Sequence, residues 1–398
     1  MGAFVGQLNR NRIQNALFNM IISIKTYADN IKGTFSELVD QAKVDGSLYG
    51  DQKLYIATKE LKSHEWGADS EATNLLALDR PPAPETQAIV LDQFRQIRCT
   101  VDDYLSKQSF LDMYSFSEYT SVMIGWIAET KRIFQSTLYN SFIGTSESIV
   151  GKQLVSLPVA AARANASSEE EANRLEAECI AQGIADLLVE MRDVSRDFND
   201  YGFLRSYSDE EIKVVWNSKF VNKIRKIDLP TIFHKDGLVD KFAQYILPAR
   251  YFGTVITSSN ISSYSASTPA AGKPIDSDDG SYVPGSAAGL HDYGCIRSLV
   301  EKDVTVSAVE YHVFPGDEIP AGATIVASTG DFLPGEVYIE KDDVMCKIMT
   351  ELPPFMSAFE VGTSWFNPRS LTTTHYSTFG YNSLEYLKGK PFITVKAA

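Results

Sequence analysis

The sequence has little cysteine, no long apolar run and no recognisable catalytic motif, and each absence argues against a class of protein. Its four cysteines stand far apart in 398 residues and form no Cys-x-x-Cys pair (Cys99, Cys179, Cys295 and Cys346). This pattern disfavours a disulfide framework or a zinc ribbon, and we expect free thiols in a reducing compartment. No stretch approaches the roughly 18 apolar residues that a membrane-spanning helix requires, so no membrane partner is predicted.

Motifs that would indicate enzymatic or metal chemistry are also missing. The five histidines share no metal-ligand spacing, and neither a His-Glu-x-x-His nor a Gly-x-Ser-x-Gly motif occurs. The stretch DSDDG at 276–280 lacks the later ligands of a calcium loop, and GTSESIVGK at 144–152 has the wrong spacing for a phosphate-binding loop. We therefore predict no catalytic, metal or cofactor site, although sequence alone leaves open a triad assembled from distant residues.

The balance of charge is strongly acidic. The chain has 37 basic and 51 acidic residues and a formal net charge of −14. Because DNA binding is driven by neutralisation of phosphates, this balance argues against DNA binding over the whole surface. It suits a soluble protein, or one that lies near DNA without adhering to it. Half of the excess lies in residues 168–200, which we interpret as the solvated face of a helix.

Apolar residues at helical spacing predict three long helices. Residues 13–30 carry an amphipathic stripe, which we interpret as a helix rather than a signal peptide because no small-residue cleavage site follows it. The strongest helical pattern covers 117–143, roughly 40 Å at 1.5 Å per residue, with Gly144 placed to end it. The third helix is predicted to begin with a capping box at Ser167 or Ser168.

Two stretches predict strands that are joined by an unusually long arm. QKLYIAT at 52–58 has β character, and residues 96–101 alternate polar with apolar side chains, so we expect the two to pair. The connection at 59–86 is far longer than the two to five residues usual in hairpins, and Pro81 and Pro82 stiffen it. Such an arm has little of its own chain to pack against, so we expect its apolar complement on another copy.

The remaining sequence predicts a mixed lobe and a β-rich C-terminal part. EIKVVWN at 211–217 is typical of a buried strand and indicates an α/β lobe over 150–256. The composition then becomes rich in Ser, Gly, Pro and Ala, and DVTVSAVEYHVF, GATIVAS and GEVYIE predict short strands. We interpret 257–336 as a surface insertion with β-strands. Residues 343–398 are interpreted as strands mixed with aromatic loops.

The order of these elements resembles that of the major capsid (major head) proteins of tailed bacteriophages, which have the Hong Kong 97-like fold. Four stretches also resemble phage head proteins as sequence: NALFNMIISIKTYADNIKGT, VDGSLYGDQKLY, IVLDQFRQIRCTVDDYLSKQ and FQSTLYNSFIGT. The likeness covers about the first two-thirds of the chain and its C-terminal end. It leaves about 257–336 unaccounted for.

The resemblance implies an α+β fold in five parts. These are an N-terminal arm (1–48), an extended β-hairpin loop (49–102), a peripheral domain with a long spine helix (103–149 and 337–398), an α/β axial domain (150–256) and the insertion (257–336). In such a fold the extended loop lies over a neighbouring subunit. The candidate contacts between subunits are apolar or proline residues of the arm and the loop: Ile13, Leu17, Met20, Ile21, Leu75, Leu76, Leu78, Pro81 and Pro82.

The implied function is self-assembly, as hexamers and pentamers, into the icosahedral head shell that encloses double-stranded DNA without sequence-specific contacts. The implied partners are other copies of the chain, scaffolding and portal proteins and a decoration protein, with assembly in the bacterial host cytoplasm and a final location in the virion. Two alternatives stay open. One is another structural virion protein of the tail or baseplate, and the more remote one is an α/β enzyme built on 150–256.

Overall fold

The computed structural model describes residues 37–45, 51–63, 78, 80–102, 113–221, 243–260, 296–320, 323–325, 329–341 and 343–398. The helix predicted at 13–30 and the DSDDG loop lie outside these residues. The described α-helices of six or more residues are α1 (Glu37–Ala42), α2 (Met113–Thr145), α3 (Val159–Ala164) and α4 (Glu169–Arg192). No described helix is long and apolar enough to span a bilayer.

Most described strands belong to two five-stranded sheets. In chain order the strands are β1 (Lys43–Asp45), β2 (Gln52–Ala57), β3 (Glu85–Asp102), β4 (Leu154–Leu157), β5 (Lys213–Asn217), β6 (Ala243–Leu247), β7 (Gly253–Val255), β8 (Ile296–Ser298), β9 (Lys302–Val306), β10 (Val309–Val313), β11 (Val337–Glu340), β12 (Val344–Met349), β13 (Phe355–Asn367), β14 (Thr372–Asn382) and β15 (Phe392–Ala397).

The first sheet is mixed and has the order β4-β15-β12-β5-β6. Every residue of β12 is buried, and so are the last four of β5, as in strands covered on both faces, and both strands are mostly apolar apart from Lys347 and Asn217. The strand predicted in EIKVVWN is confirmed. The sheet combines strands from 154–247 with two strands from 344–397. The division of these two ranges into an axial and a peripheral domain stays a prediction.

Helix α4 packs its apolar stripe into the core of this sheet. Ser168 is its N-cap, and the Ser168 hydroxyl accepts a hydrogen bond from the Glu171 N–H at 3.2 Å. The Glu171 carboxylate in turn accepts from the Ser167 N–H at 2.8 Å, so of the two predicted caps the one at Ser168 forms. The buried stripe is Ile180, Ile184, Leu187, Leu188 and Met191. Val194, three residues after Met191, lies beyond the end of the helix and is exposed.

The second sheet has the order β1-β13-β14-β3-β2 and contains the longest strands. β14 pairs antiparallel with β13 on one side and with residues 91–102 of β3 on the other. Helix α2 lies against this sheet, where the Phe134 ring is 5.9 Å from Phe379 and 5.5 Å from Tyr381 between centroids. The predicted helix at 117–143 is confirmed, and with 33 residues α2 is about 50 Å long.

A smaller unit around β11 has a hydrophobic cluster of its own. β11 pairs with β7 and β8, and DVTVSAVEYHVF, in which short strands were predicted, forms the antiparallel hairpin of β9 and β10. Ser307 and Ala308 turn this hairpin in the left-handed region, with φ of 51° and 63°. Of the strand predicted in GATIVAS the structure describes 323–325, where Ile325 makes an isolated parallel bridge to Phe332.

Gly144 lets the last turn of α2 approach the 3₁₀ turn at Ala249–Tyr251. A Cβ built on Gly144 would lie 2.0 Å from the Tyr251 carbonyl oxygen and 2.6 Å from its carbon. Both are backbone atoms, so the contact could be relieved only by moving the turn. Gly125, earlier in the same helix, has open space where its Cβ would be.

We therefore expect Gly144→Ala to lower the free energy of unfolding by about 1–3 kcal/mol, the range for overpacking a close contact. Gly125→Ala is the matched control, and its better helix propensity should raise stability by up to about 1 kcal/mol. Denaturant titration of both unassembled variants measures the difference. Equal stability for the two would show that the approach of α2 to Tyr251 is not tight.

Candidate inter-subunit surface

The hairpin of β2 and the first part of β3 is the sequence-predicted arm. β2 pairs antiparallel with residues 85–90 of β3. The strand predicted at 52–58 is confirmed, but its expected pairing with 97–101 is wrong, because there β3 pairs with β14 instead. The connection between the paired segments therefore runs from 58 to 84.

One face of this hairpin is held by its own protomer. Four buried apolar side chains form a cluster there: Ile89, Leu91, Met356 and Leu387. The buried Gln87 adds polar contacts, since its Nε2 donates to the Tyr386 carbonyl and its Oε1 accepts from the Lys388 N–H, both at 3.0 Å. The base of the arm thus packs on residues 383–391, the connection between β14 and β15.

The opposite face of the same hairpin is largely exposed in the protomer. Leu54 and Ile56 are 59% and 60% exposed, and in the pairing register they lie opposite Ala88 and Thr86. We call Leu54, Ile56 and Ala88 the outer hairpin face. β2 is also the edge strand of its sheet, so it presents backbone hydrogen-bonding groups along with its apolar side chains. Exposed apolar edges of this kind are typical of sites that pair with another chain.

A polar anchor holds the beginning of the arm beyond β2. The Arg205 guanidinium donates to the Thr58 carbonyl, and the Glu60 carboxylate pairs with Arg196. The Leu204 N–H also donates to Glu60, at 3.4 Å. Hydrogen bonds from the backbone N–H of Glu60 and from the Arg196 guanidinium hold the pKa of Glu60 below its ordinary value. The arm is therefore fixed to its own protomer up to Glu60.

The structure describes three of the nine predicted contact residues. Leu78 is 84% exposed, and Pro81 and Pro82 are exposed beside it in extended chain. The other six lie outside the described residues (Ile13, Leu17, Met20, Ile21, Leu75 and Leu76). Sequence reasoning missed Leu54 and Ile56. Their alternation in QKLYIAT was visible, but which face of the strand is covered depends on residues more than 300 positions away.

A second exposed apolar group lies at the far end of the same sheet, where β13 turns into β14. Trp365 is 68% exposed and Phe366 is 49% exposed. The stretch SWFNPRS in this region predicts an aromatic loop, but Trp365 and Phe366 belong to β13, which ends at Asn367. Aromatic side chains on a projecting hairpin are, like the outer hairpin face, typical of protein–protein contacts.

Between α2 and the β13–β14 hairpin lies an open groove of about 630 Å³. Its charged side chains are Lys43, Lys131, Arg132 and one carboxylate, Asp40. Asp40 lies 2.9 Å from the Lys43 Nζ and 3.9 Å from an Arg132 nitrogen. We call this the basic groove. Its formal charge is +2, in contrast to the acidic chain as a whole.

Two further titratable groups with shifted pKa values are Lys347 and His312. Among the described residues no group of three or more His, Cys, Asp or Glu side chains could hold a metal ion. Lys347 is buried in the mixed sheet, donates to the Ser146 carbonyl and to Thr394 Oγ1, and burial lowers its pKa to about 7. Although burial opposes it, contacts with Asp303 and Glu301 raise the pKa of His312.

Comparison with known proteins identifies the fold. No family model and no curated protein matches the chain. A chain in the capsid structure of Staphylococcus phage Andhra superposes with a TM-score of 0.55 at 11% identity, covering 90% of this chain and 83% of that chain. The chain has a phage capsid fold. The structure of the head fibre and inner core protein gp22 of native bacteriophage P68 contains a similar chain, with a TM-score of 0.53, 10% identity and coverages of 90% and 83%. The resemblance found in the sequence is thus confirmed as a mixed α+β phage capsid fold.

Removal of the Gln87 side chain tests whether the inner face docks the arm. Gln87→Ala leaves the partly buried Tyr386 carbonyl and the Lys388 N–H without the buried side chain that bonds them, and the loss of these two hydrogen bonds costs about 1–3 kcal/mol of local stability. Amide hydrogen exchange in β2 should accelerate accordingly. Gln96→Ala is the matched control, since Gln96 is exposed and bonds only Thr378 Oγ1 among the described contacts. Unchanged exchange in Gln87→Ala would contradict docking through this face.

The Glu60 anchor should be sensitive to acid. Because the folded-state pKa of Glu60 is lowered from 4.5, the anchor is stabilised above the ordinary glutamate pKa and is lost as pH falls through the lowered value. Exchange of the Leu204 amide, corrected for intrinsic rates, should therefore rise below about pH 4 in the native chain. Glu60→Gln should remove this pH dependence. If the exchange rate of the Leu204 amide, corrected for intrinsic rates, did not depend on pH in either the native chain or Glu60→Gln, the result would contradict the anchor.

Proposed function

We propose that the chain is the major capsid protein of a tailed bacteriophage, with a Hong Kong 97-like fold, and that copies of it assemble into the icosahedral shell around double-stranded DNA. The phage capsid fold supports this proposal, since it spans nine-tenths of the chain. In this function the chain acts as a structural protein and not as an enzyme. Hexamers and pentamers would be the assembly units, and scaffolding, portal and decoration proteins the further partners.

The observation that carries the proposal is the two-faced hairpin. Its inner face is satisfied within the protomer, whereas Leu54, Ile56 and the following Leu78 are exposed along one arm. Full burial of such a side chain contributes about 1.5–3 kcal/mol, and the exposed part of each side chain lacks its share of this contribution in a monomer. A neighbouring copy would recover this contribution at every subunit of a closed shell.

The proposed domains follow the sequence-based division. The extended loop at 49–102 would lie over a neighbour, the spine helix α2 would belong to the peripheral domain, and 150–256 would contribute the axial domain. The insertion at 257–336 would face the surface. The formal charge of −14 supports enclosure of DNA without tight binding, because like charges on shell and phosphates repel.

A charged outer hairpin face should prevent assembly without unfolding the chain. Leu54→Glu with Ile56→Glu places two carboxylates where the proposal requires an apolar contact, and desolvating either without a partner is strongly unfavourable. Expression with a scaffolding partner, followed by electron microscopy, should show shells for the native chain and folded, unassembled protein for the double variant.

Leu54→Val with Ile56→Val is the control, because it keeps an apolar face of nearly the same shape and should keep the shells. Tubes or trimers from the native chain would favour a tail or baseplate component. A native chain that stays monomeric even with its scaffold would refute the proposed function. Shells from the Glu variant would refute the role of the outer hairpin face.

A further inference from the structure

One face of the β9–β10 hairpin places a histidine between two carboxylates. Val304 and Val313 lie on the other face and belong to the hydrophobic cluster around β11. On the first face His312 lies directly across from Asp303 in the pairing register, and its Nδ1 is 2.5 Å from the Asp303 carboxylate. The Nε2 of the same ring is 3.0 Å from Glu301, so each ring nitrogen faces a carboxylate.

Glu301 also ties this hairpin to the second sheet. Arg95 of β3 donates to the Glu301 carboxylate at 2.8 Å and to the Glu301 backbone carbonyl at 3.0 Å. The Arg95 guanidinium in turn lies 4.7 Å from the ring centre of Phe134 on α2. When His312 is protonated, charges of alternating sign therefore run from Arg95 through Glu301 and His312 to Asp303.

The protonation state of His312 decides whether this row of charges is complete. A protonated ring carries an N–H on both nitrogens and can donate to Asp303 and to Glu301 at once. A neutral ring carries one N–H, so the lone pair of its other nitrogen faces a carboxylate that has lost its donor. Loss of the proton thus replaces an attraction on one side of the ring by a repulsion.

We infer that protonated His312 is a latch that holds β10 against Glu301 and thereby fixes the β9–β10 hairpin on the second sheet, and that loss of the proton releases this hold. The pair of Glu301 with Arg95 persists in both states, so release loosens the hairpin without detaching it. The latch acts within one copy of the chain and is independent of the proposed function.

The neighbours of the ring set the direction of the pH dependence. Partial burial opposes protonation, whereas the hydrogen bond to Asp303 and the charges of Glu301 and Asp303 favour it, and the pKa of His312 is raised above its ordinary value of 6.5. Because the folded-state pKa is raised, the latch contributes fully below about pH 6.5 and is lost as the pH rises through the raised value.

Further charged and titratable groups surround the network on each element packed against it. Glu310, two residues before His312 on the same face of β10, adds a negative charge that favours protonation. Arg95 opposes protonation but stands behind Glu301. Burial raises the pKa of Tyr381 on β14, so this phenol stays neutral in the relevant range. Lys302 lies on the other face of the hairpin and pairs with Glu336.

Hydrogen exchange of the unassembled full-length chain tests the latch. Protection factors of the β9 and β10 amides, which are corrected for intrinsic rates, should be about two- to fivefold higher at pH 6 than at pH 9, a range typical of exposed ion pairs. His312→Gln keeps an N–H donor but cannot take a proton, so its hairpin protection should be low at both pH values. His375→Gln on β14 is the matched control and should keep the native profile.

Titration of the histidine rings by NMR measures the protonation directly, with the His312 signal assigned by its loss in His312→Gln. We expect a pKa above 6.5 in the native chain and a lower pKa in Asp303→Asn, which removes a negative charge at nearly constant size. Arg95→Gln should raise the pKa of His312 further, because it removes a positive charge behind Glu301. Arg95→Lys keeps that charge and should leave the pKa nearly unchanged.

The results decide on the latch separately from the capsid function, which assembly tests. Equal hairpin protection at both pH values, a pH dependence that persists in His312→Gln, or a His312 pKa at or below 6.5 would each overturn the latch. An Arg95→Gln chain that is folded by circular dichroism but has the native His312 pKa would overturn the link through Glu301 to the second sheet. Asp303 and His312 are about half exposed, so their variants remain informative if Arg95→Gln does not fold.

Discussion

The ribbon of β2 and the first part of β3 buries one face in its own protomer and leaves the other face exposed, and the surface of this region follows from that asymmetry. Among the described strands β2 has one neighbour, β3, and the inner face of the ribbon is covered by Met356, Leu387 and the polar contacts of Gln87. What is left outward is an apolar surface of Leu54, Ile56 and Ala88. Isolated hairpins are marginally stable in water, so the ribbon depends on docking on one side and gains from docking on the other.

The remainder of the structure supplies a rigid base for that arm. β3 continues from the ribbon into the long sheet, where β14 and the rings of Phe134, Phe379 and Tyr381 hold it against α2. The last turn of helix α2 packs closely against the 3₁₀ turn at Tyr251, and Gly144 is the residue at the point of contact. β3 is thus one continuous strand from the ribbon into the sheet that packs against α2.

Local signals in the sequence were sufficient for elements whose pattern is strong. The stripe of α2, the Ser168 cap of α4 and the apolar run of β5 were each predictable, because burial on a helix face or in a central strand leaves a periodic or continuous apolar pattern. β13 and β14 were interpreted in part as aromatic loops, since Ser, Thr and Gly interrupt any alternation there. The partner of β2 was missed because period two fits every segment of β3 equally well.

The surfaces to which we assign the proposed function were the least predictable. The same is true of the basic groove, which joins Lys43, Lys131 and Ser377 from three separate parts of the chain. The exposure of Leu54 likewise depends on which face of the β2–β3 hairpin Leu387 covers. Neither property is encoded locally, so only the folded chain reveals them, whereas the capsid fold itself could be inferred from the order of elements.

Side-chain footprinting of the same chain before and after assembly tests the central claim most directly. Hydroxyl-radical labelling reports the solvent exposure of Leu54 and Ile56 in the unassembled protein and in purified particles. The account predicts high labelling of both residues in the free chain and several-fold lower labelling in the particles, with Ile89 protected in both. Equal labelling of Leu54 and Ile56 in the two states would show that no neighbour covers the outer hairpin face, and would contradict the account.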